Sequence, residues 1–539
     1  MLKYFYITII SCFLVTVIRN PLYAADLNPD SIKAHIYYLG NDRLAGRATG
    51  SNGAALAADY IATKLALYGI KPLKQGGGFF QEIPMHGSRT LPASILTISR
   101  GDSTDSLRLG ADYLMYKTGA ETFMPRSFPL VFVGYGIVAP EYDYNDYQTV
   151  DVEDRIVVYL EGEPRSDNPL YFAGAQPTLH ASPEAKQRLA ISHGARGCIL
   201  IPALHGESWA RMAREFSFED VRLAYSVSGN LSIVINPDIL DKLFEDPSEI
   251  YRMDETGSMR SFALKASMQF EGRFAERDFL GRNVIGYLPG ADRELRNSYL
   301  LLTAHYDHLG IGPAVNGDSI YNGVCDNASG VAVLLELARV FAGTSERARR
   351  SMIFLFLTGE EKGLLGSTYY TDNPLVPLYK TIADINIDGA PLFEKFKDVV
   401  AVGSEYSTLS RDLQHILDEM GVKLSEIPDV FFNEAESLVR SDQFSFAKAG
   451  IPSILIVEGL HYINTSYESG LKRMIYWNQN IYHSPADDLN QRLNFRAALQ
   501  YAGIIRQFAE FLANEASEPQ WHEGIPFSAA RLRSIIENK

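Results

Sequence analysis

The sequence has little cysteine: three residues in 539, at Cys12, Cys198 and Cys325. With the N-terminal segment removed, only Cys198 and Cys325 remain, far apart in the chain. One disulfide is then the most that can form, which excludes a cross-linked framework. Stability must come from a buried core. Beyond the first 18 residues there is no apolar run approaching the roughly 20 residues of a membrane-crossing helix, so no stable membrane span is expected. An excess of positive charge is also missing. Against 65 acidic residues stand 50 basic ones, for a formal net charge of -15. Such a surface is repelled by phosphate backbones, which argues against a nucleic-acid partner. The acidity by itself reads as solubility. There is no internal repeat and no low-complexity tract.

What is present suits a globular protein: 46% hydrophobic and 11% aromatic residues, in a chain long enough for two to four domains. The N-terminus has the form of an export signal, residues 1–24. Lys3 supplies a short positive region, residues 4–18 are apolar, and Leu22-Tyr23-Ala24 places a small residue before Ala25. The chain is therefore expected to be exported, periplasmic or secreted, with an uncleaved N-terminal anchor as the alternative. Cys12 after Ile9-Ile10-Ser11 resembles a lipoprotein cleavage box, but apolar residues continue past it to Ile18, which argues against lipidation.

Three textures follow. Up to about Pro72 the spacing of Ile32, Ile36 and Leu39, then of Ala55, Leu56, Tyr60, Ile61 and Leu65, predicts two helices. The loop Leu44-Ala-Gly-Arg-Ala-Thr-Gly50 separates them, and Gly69 suits the end of the second. From Phe79 to Phe279 short β-rich runs dominate, such as Leu130-Val-Phe-Val-Gly134, Arg155-Ile-Val-Val-Tyr159, Gly197-Cys-Ile-Leu-Ile201 and Leu231-Ser-Ile-Val-Ile235, with a helix over 183–193. From Asn283 strands and helices alternate. Strands are predicted at 283–287, 299–304, 352–357, 382–387 and 453–457, and helices at 328–341, 363–371, 407–420, 442–449 and 495–513. Near-continuous apolar strands such as Ile353-Phe-Leu-Phe-Leu357 imply burial on both faces. The expected fold class is therefore α/β, a mostly parallel central sheet flanked by helices.

The ionisable residues fall where such a sheet binds ligands, at the carboxyl ends of its strands. His305 and Asp307 follow one strand, Glu360 and Glu361 the next, and Asp388 a third. Asp326 and His483 come from loops. Two imidazoles and three carboxylates suit zinc, with cobalt or manganese as substitutes, and exceed what one tetrahedral ion needs. They fit two ions roughly 3.5–4 Å apart that share a carboxylate. Each residue alone has a plainer reading: Asp326 as a helix cap, Glu360-Glu361 as complements to a helix dipole, Asp388 as a turn residue, His483 as a loop histidine. His308 reads as a neighbour of the ligands rather than one of them. Five such residues converging on one sheet edge by accident is the weaker account.

The ordered set His305-Tyr-Asp307-His-Leu-Gly310, Gly323-Val-Cys-Asp-Asn-Ala-Ser-Gly330, Thr358-Gly-Glu-Glu361, Asn386-Ile-Asp-Gly389 and Tyr482-His-Ser-Pro-Ala-Asp487 resembles the co-catalytic di-zinc aminopeptidases, whose superfamily includes glutamate carboxypeptidase II and transferrin receptor. The likeness extends to Leu44-Ala-Gly-Arg47 and Asn283-Val-Ile-Gly-Tyr-Leu-Pro-Gly290. The middle stretch, through Val131-Phe-Val-Gly-Tyr-Gly-Ile137, Asp154-Arg-Ile-Val-Val158 and Gly194-Ala-Arg-Gly197, resembles an inserted protease-associated (PA) domain. The resemblance implies a division into residues 25–85, an inserted module 86–278 and a catalytic part 279–539. It implies two zinc ions per chain: His305 and Asp388 on one, Glu361 and His483 on the other, Asp326 bridging. It further implies Asp307 supporting His305, Glu360 as general base, and Tyr482 as a weaker contributor at the oxyanion. Peptides are the expected substrates.

Three functions are open at this point: an aminopeptidase, a carboxypeptidase or dipeptidase like glutamate carboxypeptidase II, and a non-catalytic binding protein. The second needs cations to grip a terminal carboxylate, and Arg196, Arg211 and Arg440 cannot be placed there from sequence. Residues 431–443, with Glu434 and Glu436, are expected to form part of a pocket wall. The oligomeric state is left open.

Overall fold

The run Ser351–Leu357 is buried at every position, which a strand allows only when both its faces are covered. It lies parallel to Tyr299–His305, with Tyr299 opposite Ser351 and His305 opposite Leu357. Thr381–Asn386 and then Ser453–Glu458 continue the parallel set. In the computed structural model, which describes residues 26–73, 77–116, 123–166, 168, 170–172, 174, 178–203, 208–227, 230–427 and 438–537, these four strands form the middle of a ten-stranded sheet. Antiparallel strands widen it on one side through Phe274–Leu288, Phe80–Thr90 and Asp220–Leu223. On the other side Asp398–Val402 does the same. The parallel character expected from the sequence belongs to the centre, where the site lies. The expected export signal, Cys12, Glu434 and Glu436 lie outside the described residues. Among the described residues no helix is long and apolar enough to cross a membrane.

One face of the sheet is covered by Pro29–Leu39, Asn52–Leu67, Gly330–Gly343 and Phe495–Asn514, which bury Ile36, Ile61, Leu335 and Ile504 against Leu302, Phe354 and Ile385. The other face meets Leu365–Asp372 and Gln443–Lys448 through Tyr370 and Phe446. The first two helices begin where local chemistry directs: the Asn28 side chain accepts the Asp30 N–H at 2.9 Å, and Ser51 Oγ accepts the Ala54 N–H at 3.1 Å. Gly69, at φ 79°, turns the chain out of the second helix.

Between these two helices His35 is buried, with Nδ1 2.7 Å from the Tyr60 hydroxyl and Nε2 3.0 Å from the Tyr68 hydroxyl. Burial, with Lys64 and Arg339 nearby, pushes its pKa down to about 4. The folded state thus favours the neutral ring, and the unfolded chain binds the proton more tightly. Stability from His35 is present above about pH 6.5 and is lost as pH falls toward 4, by about 3 kcal/mol in all. The unfolding midpoint of the wild type should therefore fall more steeply between pH 7 and 4 than that of His35→Gln. Parallel curves would contradict this account.

A second sheet of eight strands, from Ile95 to Glu271, has its own core around Phe132, Val158, Ile199, Ile233 and Phe270. Its middle strands Ile156–Leu160, Gly197–Ile201 and Leu231–Ile235 run parallel and are buried throughout. The expected borders at 85/86 and 278/279 fall inside two long strands. Phe80–Thr90 pairs with Phe274–Leu288 from Phe80 opposite Val284 to Thr90 opposite Phe274. The two sheets are thus joined by a continuous ribbon, and Asp220–Leu223 leaves the middle segment to pair with Met85–Ser88 in the main sheet.

Candidate metal centre

Three neighbouring strands deliver the ionisable groups to one edge. His305 ends its strand, Glu360 and Glu361 follow Ser351–Leu357, and Asp388 follows Thr381–Asn386. Asp326 enters from the turn before Gly330–Gly343, and His483 from just beyond the helix Tyr467–Asn480.

The centre is organised about Asp326. Its Oδ1 lies 3.2 Å from His305 Nε2, and that nitrogen is also 3.0 Å from Asp388 Oδ1. Its Oδ2 lies 3.4 Å from His483 Nε2, which is 3.2 Å from Glu361 Oε2. One carboxylate thus turns an oxygen to each of two imidazole–carboxylate pairs. His305, Asp307 and His308 are buried, whereas the side chains of Asp388 and His483 keep 21% and 18% of their exposure, leaving the centre open on that side.

The surrounding chain fixes this arrangement. The buried Asp487 carboxylate accepts the backbone N–H of Cys325 at 2.9 Å and of Asp326 at 3.0 Å. The Asp326–Asn327 peptide bond is cis. Asn327 Oδ1 accepts from the N–H of both Gly330 and Gly389, and its Nδ2 donates to the Ile387 carbonyl, so the Asp326 turn and the Asp388 loop are tied together. The helix-cap reading of Asp326 does not hold, because Asn327 takes the Gly330 N–H. His308 Nδ1 sits 2.6 Å from Glu361 Oε1, a neighbour that orients Glu361. Asp307 supports His305 mainly through its backbone: its carbonyl oxygen is 3.2 Å from His305 Nδ1 and its carboxylate 3.8 Å. Tyr482 stacks on His483, ring centroids 3.9 Å apart.

Burial opposes every charge here, and the pairs overcome it. Against burial, Asp388 and Glu360 hold His305 well above the ordinary histidine value. Likewise Glu361 and Asp326 raise His483 to about 10. The close His305 and His483 imidazoles hold Asp326 well below the usual carboxylate range, and His483 and His308 keep Glu361 at about 2, both despite burial. Glu360 differs. Burial, with Asp388, Glu361 and Asp442 adding repulsion, lifts it well above a normal glutamate, only partly opposed by His305. Imidazole Nε2 atoms and carboxylate oxygens, converging in threes, are the donors a zinc-like ion takes. Donor atoms of His305, Asp326 and Glu361, and of His305, Glu360 and Asp388, also group within 4.8 Å.

Four contributors have no role assigned from the sequence, although Arg47 closes the Leu44-Ala-Gly-Arg47 motif. Arg47 is buried and donates to the carbonyls of Leu39, Tyr306, Asn322 and Gly323. The Thr49 hydroxyl donates to Asp307 Oδ2 at 2.7 Å. Lys362 and the buried Asp442 interact electrostatically with Glu361 and Glu360 respectively. Arg47 and Thr49 lie 259 and 258 residues from Tyr306 and Asp307, with no local signal of either contact.

Residues 283–509 match the model of peptidase family M28. Over that stretch the chain resembles an M28 peptidase domain. All five proposed ligands and Glu360 fall inside it. Among curated proteins the chain is 29% identical over 223 residues to leupeptin-inactivating enzyme 1 of Streptomyces exfoliatus, covering 40% of this chain and 45% of that protein. It is 27% identical over 250 residues to leucine aminopeptidase 2 of Arthroderma otae, covering 42% and 46%. The chain thus spans about half the length of these relatives. Among solved structures an aminopeptidase from Aneurinibacillus sp. strain AM-1 superposes with a TM-score of 0.57 at 18% identity, covering 92% of this chain and 96% of that one. That last likeness is one of fold.

Proposed function

We propose that the chain is an exported zinc metallopeptidase that removes N-terminal residues from peptides. Two ions would be held by His305 with Asp388 and by Glu361 with His483, Asp326 lying between them. The observation that carries this reading is the Asp326 carboxylate, which offers one oxygen to each imidazole–carboxylate pair. Bound zinc would supply Lewis acidity, polarising the scissile carbonyl and making water acidic near neutral pH.

The remaining steps belong to the chain. Glu360 stands beside the ligands, its Oε2 4.0 Å from His305 Nε2, with a raised affinity for protons that suits a general base. It takes a proton from the attacking water and returns it to the leaving amine. Tyr482 keeps its proton, because burial beside Asp326 and Glu361 holds it well above the ordinary phenol value. It therefore offers a hydrogen bond to the developing oxyanion. The second sheet reads as the PA-like module that shapes access. In support, Arg211 of its helix Trp209–Glu215 donates to the Asn478 carbonyl at 3.0 Å, on the helix that leads to His483.

The test is hydrolysis of aminoacyl anilides beside N-blocked peptides and peptides ending in glutamate, with and without chelator. Chelator-sensitive cleavage of the free-amine substrates alone is expected. Cleavage of only the blocked substrates would indicate a carboxypeptidase, and no turnover by zinc-loaded protein would remove the catalytic reading.

A further inference from the structure

We propose that Thr49 is a positioning residue of the metal centre, acting through the Asp307 carboxylate on the turn that carries Glu360 and Glu361 and, at 3.8 Å, on His305. The inference rests on the metallopeptidase reading above. Thr49 is buried, and its hydroxyl meets Asp307 Oδ2 at 2.7 Å, while the other oxygen of Asp307 accepts the Glu360 N–H at 3.3 Å. Asp307 therefore stands between the strand end that carries His305 and the turn that carries Glu360 and Glu361. Thr49 is the side chain that fixes which way its carboxylate faces. A buried carboxylate that loses one such bond is left with an unsatisfied oxygen and a reason to turn.

The short turn at residues 47–50 is built to hold Thr49 there. On one side the Arg47 carbonyl accepts the His308 N–H at 3.2 Å, Ala48 pairs with His308 in an isolated bridge, and the Arg47 guanidinium grips four carbonyls including Tyr306 and Gly323. Those contacts clasp the chain on both sides of Asp307 and just ahead of Asp326. On the other side Arg277 donates to the carbonyls of Gly50 at 2.9 Å and Thr49 at 3.4 Å, and is itself held by both oxygens of Glu219. Gly50 sits at φ 70° beneath the Phe279 ring, where an added Cβ would run into the ring. Arg277 stacks on that same ring at 4.2 Å. Nothing about capping the following helix requires these contacts, since Ser51 does that. They converge on the backbone of one threonine whose hydroxyl points at Asp307.

Residues that orient a metal ligand from behind typically govern metal affinity by roughly 10- to 100-fold. Thr49→Val keeps the shape and removes the hydroxyl, whereas Thr49→Ser keeps the hydroxyl. Zinc affinity, measured by competition with a chromophoric chelator, and the visible spectrum of the cobalt-loaded protein are compared for both variants and the wild type. Thr49→Val is expected to weaken one of the two sites by about 10- to 100-fold and alter the cobalt spectrum, and Thr49→Ser to restore both. Wild-type affinity and spectrum in Thr49→Val would overturn the proposal even if its unfolding temperature drops, and so would Thr49→Ser behaving like Thr49→Val. If Thr49→Val does not fold, Arg277→Met, which releases the Thr49 carbonyl and leaves the hydroxyl, should weaken the same site. Unchanged affinity in Arg277→Met would then overturn it. A wild type that takes up no zinc would instead sink the metallopeptidase reading itself.

Discussion

Glu360→Gln is expected to lower kcat by about 10²- to 10⁴-fold while leaving the metal content at the wild-type level. Glutamine matches glutamate in shape but cannot accept the proton. The geometry separates Glu360 from its neighbour: Glu361 faces His483 and His308 at 3.2 and 2.6 Å, whereas the closest imidazole nitrogen to Glu360 is that of His305 at 4.0 Å. Their electrostatics diverge in the same way, with Glu361 held at about 2 and Glu360 lifted well above its usual value by burial and by the surrounding carboxylates. Removing one negative charge from this crowd should not destabilise the fold. Because His305, Glu360 and Asp388 also form a compact donor group, the alternative is concrete. If Glu360→Gln loses an ion along with activity, Glu360 is a ligand and the assignment of the base is wrong.

Asp326→Asn should cost more metal than any other single ligand change, because Asp326 serves both pairs. Changing His483 or Asp388 removes a donor from one pair only. An asparagine amide in place of the Asp326 carboxylate keeps one oxygen and loses the second, together with the charge that balances the two cations. We expect metal analysis of Asp326→Asn to find well below two ions per chain, and activity to fall by roughly 10³-fold or more, the equivalent of the several kcal/mol that metal stabilisation of a transition state supplies. His483→Gln should retain one ion under the same conditions. Two ions retained by Asp326→Asn would mean that the carboxylate does not bridge.

The strands that build the site are legible in the sequence because they are buried on both faces. The predicted runs 299–304, 352–357 and 453–457 agree with Tyr299–His305, Ser351–Leu357 and Ser453–Glu458 to within one residue at either end. The candidate site residues could be placed for a related reason: each follows such a strand or sits in a motif whose spacing survives without tertiary information. The edges are less readable. Asp398–Val402 is absent from the predicted strands, although all five of its residues are buried. The helix Tyr467–Asn480 is absent from the predicted helices too. Only Gly470 in it is buried, so it carries little of the apolar periodicity that reveals a helix packed on a core. The clamp of Arg47 and Thr49 is invisible for a different reason. An arginine satisfied by four carbonyls and a threonine bonded across 258 residues look, in sequence, like ordinary loop polarity.

The most direct measurement is a crystal structure of the zinc-soaked protein with an anomalous difference map at the zinc edge. The account predicts two peaks roughly 3.5–4 Å apart, one against His305 and Asp388 and the other against Glu361 and His483, with Asp326 touching both. A single peak, or a pair in which Glu360 takes the place of Asp326, would contradict it.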